Sequence, residues 1–520
     1  MQTEPPNSSS KSKKKKMKLD RISKLQDDVT QQILSYLPIR DAVRTRILSR
    51  NWRCKCSTIP CLVFDDRCCV SDQTDTETNR MRKRQTSFSS IVDQVLALHT
   101  GSIETFTLSR QNKHLDARDI DRWIFGLSQR SIKKFILEQW KGTPYNVSSR
   151  LFMFRDLIHL ELYNCVLDLP STFKGFRALK ILNLQMVRIA QDVFEKMIGY
   201  CPLIERLILC DFQGITHLNI DAPNLQYLTV DGAFEDVDIG MNTSNLVHAT
   251  VIQQKAASSS CSNFLKFFSQ LTHVEKLSID GFFLESAVGA LQEELPKPYL
   301  SLKSLCLGIR LNNLDEILAA VRLLRSSPAL QELEISVRQD AEAAAGETTY
   351  WLNDNHNWSF TQLLLVKVTG FSGVKAEVDF IKFLLLSSPA LQQLVILAGQ
   401  QDQAVRGKVR SWLDEDQHCA FTQLRIVKVG GISGVKAEVA LIRFLLLSSP
   451  VLEKMIVWAV HQASGDRPLL KKLLQFRRAS AQAEIKYLDP LNDVQANAGS
   501  NVNDDSESQT SDSISSSDSD

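Results

Sequence analysis

Five cysteines crowd into one short stretch: Cys54, Cys56, Cys61, Cys68 and Cys69. Clustered thiols can hold zinc or form a disulfide frame. Here no C-x-x-C pair occurs and no histidine lies nearby, so the ligand spacing of a structural zinc site is absent. The chain holds 11 cysteines at irregular spacing, which read as reduced thiols. Gly370-Phe371-Ser372-Gly373 and Gly431-Ile432-Ser433-Gly434 approach a nucleophile turn, but G-x-S-x-G needs one more residue. No H-E-x-x-H, phosphate-binding or dinucleotide-binding glycine motif occurs, and the nine histidines are scattered. The residues therefore predict no catalytic group, no metal and no cofactor.

The charged runs offer a second kind of chemistry. Lys11, Lys13, Lys14, Lys15, Lys16 and Lys18 form a basic stretch. Lys13, Lys14, Lys15 and Lys16 are the nuclear-import candidate. No aromatic interleaves them, so base stacking has nothing to work with and nucleic acid is not an expected partner. Residues 501–520 carry six acids and no base, set among serines that would suit an acid-directed kinase. Both ends are polar and poor in large apolar residues, which predicts disordered tails. The whole chain of 520 residues has a net charge of only +2, so no global attraction to nucleic acid or anionic lipid follows. No apolar run is long enough for a membrane helix, and no apolar stretch follows the lysines as a secretory signal requires.

Two kinds of element must position any site. Near the start, DDVTQQILSYLP places Val29, Ile33, Leu34 and Leu37 on one helical stripe. Asp27 or Asp28 is its candidate cap, and Pro38 its stop. A second helix is predicted from Asp41, with Val43, Ile47, Leu48 and Trp52 on one face. Two short helices bury little surface alone, so this unit needs a partner. Residues 70–90 lack periodicity and read as a loop.

From residue 103 the pattern becomes apolar-x-x-apolar-x-apolar. It occurs fourteen times in order, from Ile103-Phe106-Leu108 to Leu452-Met455-Val457, at steps of 21 to 33 residues. One match means little, but fourteen predict a solenoid of leucine-rich-repeat type. Each repeat gives a short strand and a return segment, and stacking buries what one repeat alone leaves exposed. The segments 190–202 and 314–328 predict helical returns, and prolines such as Pro202, Pro328, Pro389 and Pro450 end return segments. Residues 360–391 and 421–452 share 24 of 32 positions at an offset of 61. A diverged third copy starts near residue 299. The repeated Gly-Val-Lys-Ala-Glu-Val (373–378 and 434–439) reads as a turn leading into a helix. Polar inserts at 338–359 and 398–420 carry Trp351 and Trp412, which are the substrate-binding candidates, because loops on a rigid array collect binding residues.

Residues 19–66 resemble an F-box. The resemblance rests on Asp20-Arg21-Ile22, Leu25, Ile33-Leu34, Leu37-Pro38, Asp41-Ala42-Val43-Arg44-Thr45, Leu48-Ser49 and Trp52-Arg53, followed by Phe64-Asp65-Asp66. With the leucine-rich array and LLKKLLQFRRASAQAEIKYLD at 469–489, the chain resembles plant F-box/FBD/LRR-repeat proteins over roughly 19–489. It departs from their usual pattern at Gln26, where proline is common, and at Cys54-Lys55-Cys56. The resemblance implies a non-catalytic substrate receptor of a Skp–cullin–F-box (SCF) ubiquitin ligase. A Skp-type adaptor would link it to cullin and RING subunits, and the array would bind a protein target. By residue matching, the adaptor contacts are Leu25, Ile33, Leu34, Leu37, Pro38, Val43, Leu48 and Trp52. The alternative is a leucine-rich scaffold outside the ligase. Nucleus and/or cytoplasm is the expected location.

The expected fold class is α/β, a small helical F-box followed by a leucine-rich-repeat solenoid of parallel strands with helical returns. The expected layout is a disordered basic tail (1–18), the F-box (19–62), a connector and loop (63–102), the solenoid (103–459), an overlapping FBD-like segment (421–489) and a disordered acidic tail (490–520).

Overall fold

The computed structural model describes residues 25–48, 50–69, 88–111, 113–240, 243–254, 262–280, 282–285, 287, 298–338, 359–399, 420–432, 434–459 and 473–488. The two tails, the segment 70–87 and the two tryptophan-bearing inserts lie outside them. The chain divides into two units, Met1–Leu225 and Gln226–Asp520.

The first unit opens with three short helices, α1 (Asp27–Ser35), α2 (Ile39–Arg44) and α3 (Arg50–Cys56). The single second helix predicted from Asp41 is broken by a 3-10 turn at Thr45–Ile47. The Thr45 hydroxyl donates to the Ala42 carbonyl at 2.7 Å, a side-chain bond of the kind that competes with helix continuation. The turn splits the predicted apolar face, sending Trp52 inward and Ile47 and Leu48 outward. The caps also differ from expectation. Gln26 precedes α1 without a side-chain cap, and Pro38 rather than Asp41 precedes α2. A proline there costs nothing, since its missing N–H would be unpaired anyway.

The parallel sheet of this unit starts earlier than predicted. Its first strand is Cys61–Phe64, paired in register with Thr105–Arg110. Ile59, Leu62 and Phe64 repeat the apolar spacing of the later triplets and are fully buried. Next come Lys134–Gln139, His159–Tyr163, Ile181–Gln185 and Arg206–Phe212, each parallel to its predecessor. Helix α4 (Phe88–Leu98) fills part of the expected connector. Just after it, His99 Nε2 donates to the Ile59 carbonyl at 2.8 Å, while Nδ1 accepts from Arg130 at 3.2 Å. The F-box end, α4 and the repeat array are thereby tied together.

The second unit continues the same logic. Its strands run from Tyr227–Gly232 through Ser304–Ile309, Leu365–Phe371 and Ile426–Ile432 to Glu484–Leu488. The last of these lies beyond the predicted solenoid end. Every residue of the fourteen predicted triplets, in both units, is 3% exposed or less. Burying one leucine side chain stabilises by about 1.5–3 kcal/mol, so the stacked triplets form the core.

The returns at Leu314–Arg325, Lys375–Ser387 and Lys436–Ser448 are helical, each starting 61 residues after the last. Gly370 and Gly431 precede the later two, with φ of +77° and +70° that favour glycine, and each lies at a register shift of its strand. Each of the three helices begins with a buried glutamate. Glu377 accepts the Ser372 N–H at 2.7 Å, the Gly373 N–H at 2.8 Å and the Ser372 hydroxyl at 2.7 Å. Glu438 accepts the Gly434 N–H at 2.8 Å and the Val435 N–H at 3.1 Å. Glu316 accepts the Arg310 N–H at 2.8 Å. The repeated Gly-Val-Lys-Ala-Glu-Val is thus a strand-to-helix latch.

Candidate functional site

Helix α1 has two apolar faces. Thr30 and Leu34 turn inward and are buried, whereas Val29, Ile33 and Tyr36 turn outward at 38%, 40% and 80% exposure. The outward residues follow i, i+4, i+7 spacing, which puts them on one side of the helix. The 3-10 turn adds Ile47 and Leu48, 87% and 56% exposed. Large apolar side chains are unusual so far out of the core when they come in clusters.

The inner face explains why the outer one stays in place. Ile39, Ala42, Trp52, Cys56 and Ile59 form a small buried core with Leu34. Lys55, almost fully buried, donates from Nζ to Thr30 Oγ1 at 2.9 Å and to the Leu25 carbonyl at 3.3 Å. Cys56 Sγ lies 3.0 Å from the Ala42 carbonyl and 3.1 Å from Thr45 Oγ1. Burial pushes the Cys56 thiol up, so it stays protonated and can donate. Of the unusual Cys54-Lys55-Cys56, Lys55 and Cys56 are therefore built into the helical unit, while Cys54 is exposed.

The predicted adaptor contacts divide accordingly. Ile33 and Leu48 lie on the surface, and Leu25, Leu37, Pro38 and Val43 are half-buried. Leu34 and Trp52 are only 1% and 3% exposed, so in this chain by itself they pack inside the helical unit. A unit this small uses its aromatic to fill itself. Val29, Tyr36 and Ile47, outside the predicted set, are exposed as well. The helical stripe already contained Val29, and the break that exposes Ile47 leaves no mark in apolar periodicity. Trp351, Trp412 and Lys13, Lys14, Lys15 and Lys16 lie outside the described residues. Behind α2, a groove of about 340 Å³ is lined by Ile39, Val43, Ile91 and Val95 and flanked by Arg40, Arg44 and Arg46.

The open face of the first unit's sheet carries a polar network. Glu161 lies 2.5 Å from His159 Nε2 and accepts from Tyr163 at 3.2 Å and Asn183 at 3.1 Å. Burial raises the Glu161 carboxyl, but His159, Lys134 and the Tyr163 bond together outweigh it, so the group sits below the usual carboxylate range. Gln185 donates to the Tyr163 hydroxyl at 3.3 Å, and the Tyr163 ring meets the half-exposed Trp140 at 5.3 Å. Burial, with Glu161 and Glu138 nearby, raises the Tyr163 phenol, so it remains a neutral donor. The arrangement holds polar and aromatic groups in fixed positions, which suits recognition.

A three-helix unit with exposed apolar side chains, feeding a parallel leucine-rich ladder, defines an F-box protein with leucine-rich repeats. Comparison with known proteins agrees. The family model "At1g61320/AtMIF1, LRR domain" matches residues 95–427, and the F-box domain model matches 22–64. The F-box/FBD/LRR-repeat protein At1g13570 of Arabidopsis thaliana is 37% identical over 396 residues, which covers 74% of this chain and 92% of that protein. The F-box/LRR-repeat protein At3g59200, from the same plant, is 28% identical over 266 residues, covering 45% of this chain and 49% of its own length. The F-box protein At3g59000 of Arabidopsis thaliana is 30% identical over 240 residues, covering 44% and 48%. The chain belongs to the F-box/FBD/LRR-repeat family.

Proposed function

We propose that this chain is the substrate-recognition subunit of a Skp–cullin–F-box ubiquitin ligase. The observation that carries this reading is the exposure of Val29, Ile33 and Tyr36 on one side of α1 and of Ile47 and Leu48 at the 3-10 turn, around a separately filled core. Such side chains suit docking on an apolar surface of a Skp-type adaptor, where a few anchors carry most of the binding energy. Leu25, Leu37, Pro38 and Val43 would border those anchors. Through the adaptor the chain would join cullin and RING subunits. The target would dock on the open sheet faces and on the inserts bearing Trp351 and Trp412. The receptor supplies no catalytic group; it raises the local concentration of target lysines at the charged conjugating enzyme. Lys13, Lys14, Lys15 and Lys16 would direct part of the population to the nucleus.

The test uses the full chain and a purified Skp-type adaptor. Wild type should form a complex that survives gel filtration. Ile47→Asp with Leu48→Asp should lose it without change in the circular dichroism spectrum. Equal recovery of wild type and variant would overturn the proposal.

A further inference from the structure

The last strands of the second unit carry an unusual open face. In register across neighbouring strands run Lys367, Val395, Lys428, Ile456 and Lys486. Lys454 stands two residues before Ile456 on the same strand, beside Ile426 and Glu484. Neighbouring strands lie about 4.8 Å apart, so the ammonium groups are held on a rigid grid with aliphatic side chains between them. Lys367 is paired with Glu334 at 2.6 Å and Lys486 with Glu484 at 3.4 Å. Lys428 and Lys454 have no acidic partner among the described residues.

Two residues beyond Ile456 on the same strand stands Trp458, half-buried on the same face. A methyl group on Gly430 would come within 2.1 Å of its Cε2 and Cζ2 atoms. The indole thus lies directly against the Gly430 backbone, in a position that only glycine leaves open. A fixed aromatic on a lysine-bearing face is how a surface anchor is built.

We propose that this face binds an acidic protein segment in which aspartate or glutamate alternates with large apolar residues. Carboxylates meet Lys428 and Lys454, and an apolar side chain rests on Ile456 and Trp458. The aliphatic rows exclude water and strengthen each charge pair above its value in bulk solvent. The inference rests on the receptor reading only in naming this segment as part of a degradation target.

The test is fluorescence anisotropy on the full chain without adaptor, so its outcome is independent of the docking experiment. The probe is a fluorescein-labelled peptide of alternating glutamate and leucine, with an alternating lysine and leucine peptide as control. Wild type should bind the acidic peptide, more weakly as salt rises. Lys428→Glu with Lys454→Glu should weaken binding by about tenfold or more with an unchanged melting temperature, and Trp458→Ala should weaken it at every salt concentration. Equal binding of the two peptides, or undiminished binding by the lysine variant, overturns the proposal. So does a tenfold gain in affinity when Asp504, Asp505, Glu507, Asp512, Asp518 and Asp520 are neutralised, because the chain's own acidic end would then be the occupant.

Discussion

The Lys55 ammonium donates to the Thr30 hydroxyl at 2.9 Å, joining α3 to α1 across the small F-box core. Both residues are buried. A buried cation is tolerated only where its donors are used, and Lys55 also reaches the Leu25 carbonyl. Lys55→Ala should therefore destabilise the F-box by about 1–3 kcal/mol, because Thr30 and Leu25 lose a donor inside the core. Urea unfolding followed by circular dichroism measures it. A shift indistinguishable from zero would mean the contact is not formed in solution.

Core and edge of the F-box should separate cleanly. Trp52→Ala removes a side chain that is 3% exposed and should cost about 3–5 kcal/mol, lowering the melting temperature. Tyr36→Ala, at 80% exposure, should leave melting within about 0.5 kcal/mol of wild type and weaken adaptor binding. Calorimetry on both variants, run beside the adaptor titration, tells the two roles apart.

The glutamate latch makes a third prediction. Glu377→Ala strands two backbone N–H groups and the Ser372 hydroxyl, so a loss of about 2–4 kcal/mol is expected. Hydrogen exchange should rise locally around 370–378. Exchange unchanged there would show that the loop satisfies itself another way.

The histidine at the junction sets a pH dependence. Burial, chiefly, holds His99 below the ordinary imidazole range, with Arg130 adding to the effect. The unfolded chain then binds a proton near pH 6.5 that the folded chain does not, so stability falls as pH drops below about 6.5. The loss stops once pH passes the lowered folded value. His99→Gln should flatten that part of the stability curve, read by chemical denaturation between pH 5.5 and 7.5.

The ladder was legible because its signal repeats. Leu160 and Leu162 mean little alone, but the same spacing in fourteen copies fixes which residues face inward, and all of them are buried. Ile59, Leu62 and Phe64 carry that spacing too, yet they sit where the F-box pattern claims the chain, and the first strand was hidden by the overlap. The F-box was less legible. Its apolar stripe did not tell the buried Leu34 from the exposed Ile33, since adjacent positions on a short helix are separated only by which side meets the core. The break at Thr45 rests on a single hydroxyl bond, which periodicity cannot register. The inward-facing glutamates were invisible for a different reason. Carboxylates are rarely buried, and only the folded turn supplies the N–H groups that make Glu377 welcome there.

The Cys61–Phe64 strand belongs to the helical unit by sequence and to the ladder by hydrogen bonding. The passage between them is only Ser57, Thr58, the buried Ile59 and Pro60, which leaves little room to swivel. Whatever holds α1 therefore also dictates the bearing of the first rungs, much as a bracket bolted to a wall fixes the direction of the shelf. Cargo seated on those rungs would present the same few lysines at every encounter. Four glycine-serine pairs spliced between Thr58 and Ile59 would blur that aim, broadening the set of modified sites while leaving both grips intact.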